Sequence, residues 1–505
     1  MSNKTNDYAT LSPADIEGTS GAGSSGPVYA RIRDLFEEKV LSGQYRPGQR
    51  VAPIREMARR LSINPMTVAR AYRELGERGL LVSRRGGGSF IASAEMKRQG
   101  GKTPSGNDPA IDPQGISSRL FELARAPGVI AFTGNYPAVE VSDARSFANC
   151  LREKLDSGDT DSFFRYDPPS GREELREALL PFLAAHSIIS RSDDLIVTAG
   201  GQQGMDIVAR HLLSPGDRVI LEQPAYFGAI NVIRAAGAIP VPLQFGPQGF
   251  DLEQLELAIH RQKPKLIIIN PTFQNPTGHT VPLEQRQELI NLALRTNTPI
   301  LEDDHCPEIR FRGLPLPPLR SLPGGDRIVF YTRGFGKVFI PGIRLGVLIP
   351  PRAALEGCLS IKATTDLQSP ALLQGALADY LTRSDWPSYL ERLRATYRER
   401  QENLHAELVA ATGDYGSLSL PDGGLNLWLQ LNGEIEPRDV YFNAVRRGVA
   451  FAIADSFSFH PARPKALRIA FGLTDPADFR EGATRLTAVL QSVVSPQLSL
   501  SSAVT

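Results

Sequence analysis

The sequence predicts two modules: a small basic helical module closed by a β-hairpin, then a large α/β domain around a mainly parallel sheet. Three observations lead there. The chain has 505 residues and 41% hydrophobic content, too long for one ordinary domain and apolar enough to bury a large core. Residues 27–93 are punctuated as short helices and turns, whereas over 117–493 short apolar runs alternate with longer helix-period segments. Between them, 94–116 carries Lys97-Arg98-Gln99-Gly100-Gly101-Lys102 and scattered Pro, Ser, Asn and Asp, the composition of a flexible linker. Residues 1–26 are too polar to pack and read as a disordered tail; 494–505 reads as a frayed end.

The formal charge of the whole chain is only +1, but residues 27–93 hold 13 Lys/Arg against 6 Asp/Glu. A basic module on a mildly acidic body suits a local polyanion contact. The three cysteines, Cys150, Cys306 and Cys358, include no CxxC pair, which argues against a disulfide framework and a structural zinc site. No apolar run is long enough to span a membrane, and the N-terminus lacks an apolar signal core. The reducing cytoplasm is the expected compartment.

Val28, Ile32, Leu35, Phe36, Val40 and Leu41 recur at helical spacing, which predicts an amphipathic helix starting near Pro27. Gly43 and the Arg46-Pro47-Gly48 turn end it, and a second helix is expected over 54–61. Asn64 suits an N-cap and Pro65 a first helical residue, where its missing N–H costs nothing. Val68, Ala71, Tyr72 and Leu75 then share one apolar face, and Gly79 fits the left-handed position past the helix end. Met66, Thr67, Arg70 and Arg73 lie on the other face. Two short helices joined by a tight turn, the second opening with small polar and basic residues, make a helix-turn-helix able to enter a major groove. Residues 80–91 read as a hairpin with the tip Arg84-Arg85-Gly86-Gly87-Gly88. Glycines there let the backbone pass close to phosphates, and the arginines can pair with phosphate or reach a minor groove.

Tyr45-Arg46-Pro47-Gly48-Gln49-Arg50, Arg55-Glu56-Met57-Ala58, Asn64-Pro65-Met66-Thr67-Val68 and the glycine-rich tip resemble, in order and spacing, the winged helix-turn-helix domain of the GntR family of bacterial regulators. The resemblance implies a double-stranded DNA operator as partner, contacted by Arg55, Asn64, Thr67 and Arg70 and, in the wing, by Arg84, Arg85 and Gly87. One departure stands out. The family usually has Leu-Pro-Ser before the second helix, whereas this chain has Ala52-Pro53-Ile54, so one hydroxyl for a phosphate is missing.

In the large domain, 195–198, 218–221, 265–270, 299–301, 327–331 and 345–349 read as buried strands joined by helix-length segments. Lys337 follows one of them within Gly334-Phe335-Gly336-Lys337-Val338-Phe339-Ile340-Pro341-Gly342-Ile343-Arg344, at a strand end where α/β ligands collect. Its apolar neighbours argue for enclosure, and imine formation would remove a costly buried charge. Glu302-Asp303-Asp304-His305 emerges from another strand, as a ligand-facing carboxylate or as a solvated acidic turn. Asn275-Pro276 makes a turn after 265–270. Gly200-Gly201-Gln202-Gln203 opens a helix after a strand, a backbone anion site in outline. Tyr226 follows a further strand and could stack on a ring. Arg468 lies inside the apolar run Ala466-Leu467-Arg468-Ile469-Ala470 and needs an anion, from a ligand or from an internal Asp or Glu.

With Tyr166-Asp167-Pro168-Pro169-Ser170-Gly171 and Asn275-Pro276-Thr277-Gly278 added, these segments resemble fold-type I pyridoxal 5′-phosphate-dependent aminotransferases over nearly all of 117–493. The resemblance implies Lys337 as the Schiff-base lysine and Asp303 as the partner of the pyridine nitrogen. It implies Asn275 as the phenolic-oxygen contact, Tyr226 as the stacking ring and Gly201, Gln202 and Arg344 as the phosphate site. Tyr166 corresponds to a tyrosine reaching the neighbouring subunit's phosphate, and Arg468 to the carboxylate binder. A GntR-type reader followed by such a domain is the arrangement of the MocR subfamily, which implies a head-to-tail homodimer and regulation by the cofactor or its adduct with an amine or amino acid. Three departures matter. His305 stands where the family usually has Tyr at the cofactor, altering the second contact to the phenolic oxygen. Gly334 and Gly336 replace two serines of the Ser-x-Ser-Lys segment, removing hydroxyl donors, for which Arg333 is a candidate replacement or else a solvated strand-end residue. Two other readings stay open: a working aminotransferase with a DNA-binding appendage, and a regulator whose large domain has lost the cofactor and only dimerises.

Overall fold

The computed structural model describes residues 8–13, 15, 28–41, 44–46, 48–77, 80–84, 88–91, 126–156, 163, 165–433, 435–461 and 463–501. The chain divides into two compact units, Met1–Gly115 and Ile116–Thr505. The expected linker, 94–116, lies outside the described residues, as do Gly43, Pro47, Gly79, Arg85, Gly86 and Gly87.

The first unit comprises α1 (Val28–Leu41), α2 (Ile54–Arg60), α3 (Pro65–Glu77) and the antiparallel hairpin β1 (Leu81–Arg84) and β2 (Gly88–Ile91). Ile32, Phe36, Met57, Val68, Ala71 and Leu75 are wholly buried where the helices meet, so the expected apolar faces are the ones that pack. Asn64 caps α3, its side-chain oxygen accepting the Met66 N–H at 2.8 Å. Ser62 takes the left-handed conformation, φ 53°, in the turn between α2 and α3.

The polar N-terminal stretch differs from expectation. Ala9 donates to the Arg50 carbonyl at 2.8 Å and accepts from the Ala52 N–H at 3.2 Å. Ala9 and Leu11 are buried in the helical core, and the Tyr45 hydroxyl donates to the Thr10 carbonyl at 2.6 Å. Average composition hid two apolar residues at strand spacing, and an open backbone edge at 50–52 provides their partner.

In the second unit, the strands are β3 (Ile130–Phe132), β4 (Ile196–Thr198), β5 (Arg218–Gln223), β6 (Ile239–Gly246), β7 (Gly249–Phe250), β8 (Leu266–Ile269), β9 (Ile300–Asp303), β10 (Val329–Gly334), β11 (Gly346–Ile349), β12 (Gly416–Leu418), β13 (Asn426–Leu431), β14 (Val449–Ile453) and β15 (Ala466–Ala470). The helices are α4 (Ala144–Asp156), α5 (Glu173–Ala184), α6 (Gly201–Leu212), α7 (Phe227–Ala235), α8 (Leu252–Gln262), α9 (Leu283–Thr296), α10 (Leu355–Asp366), α11 (Ala371–Arg383), α12 (Trp386–Thr412), α13 (Pro437–Arg446) and α14 (Phe479–Ser501).

An eight-stranded sheet runs β4-β11-β10-β9-β8-β5-β6-β7. Its centre, from β10 to β6, is parallel, while β11 pairs antiparallel with β10 and β4, and β7 antiparallel with β6. A second sheet runs β12-β13-β15-β14-β3. There β3 joins from the start of the domain, Phe132 opposite Phe451 in parallel register. The strand expected over 327–331 sits later in the sequence: Gly325–Ile328 is a helical turn and β10 continues through Thr332 and Arg333, both wholly buried. Their polarity marked a strand end in the sequence, but their side chains find partners inside. Helix α14 runs through Ser501, past the expected domain end at Val493, since serine weakens a helix without forbidding it. The three cysteines are buried and unpaired, and no helix among the described residues is long and apolar enough to cross a membrane.

Candidate functional site

The sheet register brings the expected residues to one place. β9 and β10 run parallel with Thr332 opposite Asp303, so Asp303 and the Phe335–Lys337 turn leave adjacent strands at the same end. The start of α6 packs against them. A Cβ on Gly201 would lie 3.7 Å from the Asp303 carboxyl, and one on Gly334 would lie 2.9 Å from the Gly201 nitrogen. That approach is too close for a side chain at 334 unless the backbone shifts. A Cβ on Gly336 would meet Pro341 at an ordinary 3.4 Å.

Lys337 is half-buried, and its ammonium donates to the carbonyl of Asn135. Burial, followed by the positive charge of Arg468, lowers it to about 8. Burial and the neighbouring Asp304 push Asp303 up to about 7, against the pull of Lys337. Arg468, central in β15, donates to the Thr133 carbonyl at 2.8 Å and stacks over Phe457 at 5.2 Å. Burial lowers it to about 10. Tyr226, at the start of α7, is raised to about 12 by burial and then by Asp303. Arg344, at φ 50°, donates to the Ala199 carbonyl at 2.9 Å. With Gln202, Gln203, Asp206 and Asn231 it lines an open cavity of about 430 Å³. Asn275 is held by its backbone N–H on the Asn270 side-chain oxygen at 2.8 Å.

Lys337, Asp303, Asn275, His305, Tyr226, Gly201, Gln202, Arg344 and Arg468 are therefore linked through contacts around the strand ends. Tyr166 is not brought in by this chain; it is 83% exposed. Arg333 is not solvated, and its Nε and one Nη have no protein partner. It is wholly buried, paired with Glu308, and stacked over Phe182 at 4.7 Å, with His186 on the same carboxylate at 2.9 Å. A buried guanidinium takes the nearest buried carboxylate, and Arg333 meets Glu308 through one nitrogen.

Several residues had no role assigned from sequence. Asn270 binds Asn275, the Asp303 carbonyl and the His305 ring, while its own N–H donates to Glu222. The buried segment Thr133-Gly134-Asn135 supplies carbonyls to both Arg468 and Lys337. The Thr133 hydroxyl, the whole Asn135 side-chain amide, the Asn275 side-chain oxygen and the Arg468 Nε are buried without protein partners. A glycine-and-asparagine turn after a three-residue strand carries little sequence signal.

In the first unit, Arg55 and Asn64 are exposed and Thr67 half-buried. Met66, at the start of α3, is 69% exposed. Arg70 lies along the flank of α3: its guanidinium stacks on Tyr29 at 3.7 Å and donates to the Tyr29 hydroxyl at 2.9 Å and to Glu74 at 3.3 Å. Arg84 ends β1, and Arg85 and Gly87 lie outside the described residues.

Residues 128–486 match the family of class I and II aminotransferases, and residues 28–91 match the bacterial regulatory proteins of the gntR family. The chain is 28% identical over 476 residues to the probable rhizopine catabolism regulatory protein MocR of Rhizobium meliloti, covering 93% of this chain and 95% of that protein. It is 27% identical over 489 residues to the HTH-type transcriptional regulator TauR of Rhodobacter capsulatus, covering 93% and 98%. Among solved structures, it superposes on the α-aminoadipate aminotransferase LysN of Thermus thermophilus, complexed with N-(5′-phosphopyridoxyl)-L-leucine, with TM-score 0.69, 27% identity and coverage of 75% of this chain and 97% of that one. The kynurenine aminotransferase of Pyrococcus horikoshii, in complex with PMP, gives TM-score 0.70 and 25% identity, covering 74% and 94%. Fold and matches agree: the chain belongs to the MocR-type GntR regulators, a gntR-family helix-turn-helix domain fused to a fold-type I domain of the class I and II aminotransferase family.

Proposed function

We propose that the chain is a ligand-responsive transcription regulator. Its N-terminal unit binds an operator in double-stranded DNA through α3 and the wing. Its large domain holds pyridoxal 5′-phosphate on Lys337 and receives an amine or amino acid there. The observation that carries this reading is the grouping of a half-buried lysine, a buried carboxyl and a buried arginine with the unpartnered polar atoms of Thr133, Asn135, Asn275 and Arg468. Such atoms cost about 1–3 kcal/mol each when unsatisfied, and a ligand that supplies partners offsets that cost.

The residues fit the cofactor. Asp303 would serve the pyridine nitrogen, Asn275 and His305 the phenolic oxygen, Tyr226 the ring, and Gly201, Gln202 and Arg344 the phosphate. When bound, the cofactor supplies an electron sink. Lys337, lowered to about 8, is partly a neutral amine near neutral pH and can attack a carbonyl. Asp303, whose carboxylate burial disfavours, would regain its charge beside a cationic ring nitrogen. Arg468 has an unused donor for a ligand carboxylate. Exposure of Tyr166 is what a contact to a neighbouring subunit requires, and the reading takes the assembly as a head-to-tail homodimer through the large domain.

The test measures operator binding by the full-length protein without cofactor, with cofactor, and with cofactor plus a panel of amines and amino acids. Ligand-dependent affinity, lost altogether when residues 1–93 are removed, supports the reading. Identical binding in every form contradicts it. The grouping of Lys337, Asp303 and Arg468 also supports a second reading, transamination. Turnover of an amino acid with a keto acid well above the rate of free cofactor would establish it.

A further inference from the structure

Asn270, directly after β8, is bonded on every side. Its backbone N–H donates to Glu222 at 2.8 Å, and its side-chain oxygen accepts the Asn275 backbone N–H at 2.8 Å. That second bond fixes the orientation of the amide, because a backbone N–H can only donate. The other end is therefore the NH₂ group. One of its protons goes to the Asp303 carbonyl at 2.6 Å, and the remaining one faces the His305 Nδ1 at 3.0 Å. Glu222 is in turn held by the Gln274 amide at 3.1 Å, which also donates to the Pro224 carbonyl at 2.7 Å. The hub cannot flip without breaking bonds to two other backbone segments.

A donor opposite Nδ1 requires a lone pair there. The ring must then be neutral, with its proton on Nε2. Its surroundings favour the neutral form: burial first, then Lys337 and Arg333, lower His305 to about 3, with only Glu308 acting the other way.

We propose that Asn270 locks His305 as the Nε2–H tautomer, and that this N–H is the donor to the cofactor's phenolic oxygen at the position where related chains carry a tyrosine hydroxyl. The proposal rests on the pyridoxal phosphate reading and deepens it: His305 is a substitute donor, and Asn270 is the positioning residue that sets its proton. A donor at the phenolic oxygen draws off the electron density that otherwise binds the proton on the Lys337 nitrogen. The visible band of the bound cofactor should therefore titrate at lower pH with the donor than without it.

The experiment has two readouts on the full-length protein. In cofactor-free protein with ¹⁵N-labelled histidine, the His305 signals, assigned by their loss in His305→Phe, should show an unprotonated Nδ1 and a protonated Nε2. The opposite tautomer, or a charged ring at neutral pH, overturns the proposal. In cofactor-loaded protein, the pH midpoint of the visible band should rise by about one unit in His305→Phe, the scale of one hydrogen bond to a charged acceptor. It should return near the wild-type value in His305→Tyr, which restores a donor. Equal midpoints in all three proteins overturn the proposal. If the wild-type protein gives no visible band, the cofactor reading itself fails and the donor role falls with it, an outcome told apart from the others because the tautomer is read without cofactor.

Discussion

Lys337, in the turn after β10, and Arg468, in β15, hang from one short segment: Lys337 donates to the carbonyl of Asn135, and Arg468 donates to that of Thr133 at 2.8 Å. The segment follows β3, which enters the second sheet beside β14. The start of the domain thus lies between the lysine that follows β10 and the arginine of β15. Both cations have a carbonyl partner, and both keep capacity for a ligand.

Asn135 is 5% exposed, and both polar atoms of its side chain lack protein partners. In Asn135→Ala, the cofactor-free domain should lose no more than about 1 kcal/mol, since no bond is removed. Affinity for an amine ligand, read by titrating the visible band of the bound cofactor, should fall about 2–10-fold, the worth of one neutral hydrogen bond. Unchanged affinity would remove Asn135 from the ligand site.

Asp303 titrates near 7 when folded, against an ordinary 3.8. A folded value above the unfolded one gives stability that is fully present below pH 4 and lost as pH rises through 7. Across that window the cofactor-free wild type should lose ground to Asp303→Asn, by about 1.4 kcal/mol per unit of pKa difference. Thermal melts at pH 5 and pH 8 check this. The advantage of the amide should be larger at pH 8 and should disappear once cofactor is bound.

Arg333 and Glu308 form a wholly buried pair. Glu308→Ala leaves an uncompensated guanidinium and should cost about 3–5 kcal/mol, with Arg333→Ala comparable. The double variant should cost clearly less than the two together. Additive losses in denaturant melts would show that the pair is not coupled.

Arg70 stacks on Tyr29 and bonds Glu74, so reading a base requires it to leave that flank. Arg70→Ala should weaken operator binding by about 1–3 kcal/mol if it does. Unaltered affinity would make Arg70 a brace between α1 and α3.

Much of this was legible in the sequence where local chemistry and strand position coincide. Lys337, Asp303 and Arg468 could be found because each sits at or in a buried strand with a residue type that burial disfavours. The helices of the first unit followed from their apolar spacing and from the Asn64-Pro65 start. What escaped depends on contacts between distant segments. Arg333 looked like a strand-end residue because Glu308 reaches it from a separate loop. Asn270 looked like the last residue of a strand, and its role exists only once Glu222, Asn275 and His305 surround it. Ala9 and Leu11 vanished into a polar average, and β3 is too short for alternation to register.

The most direct test of the central claim is to add pyridoxal phosphate to the purified full-length protein, reduce with borohydride, and map the labelled peptide. A visible band before reduction and a stable label on Lys337, absent from Lys337→Ala, are the expected result. A folded protein that shows no band, or a label on another lysine, would contradict it.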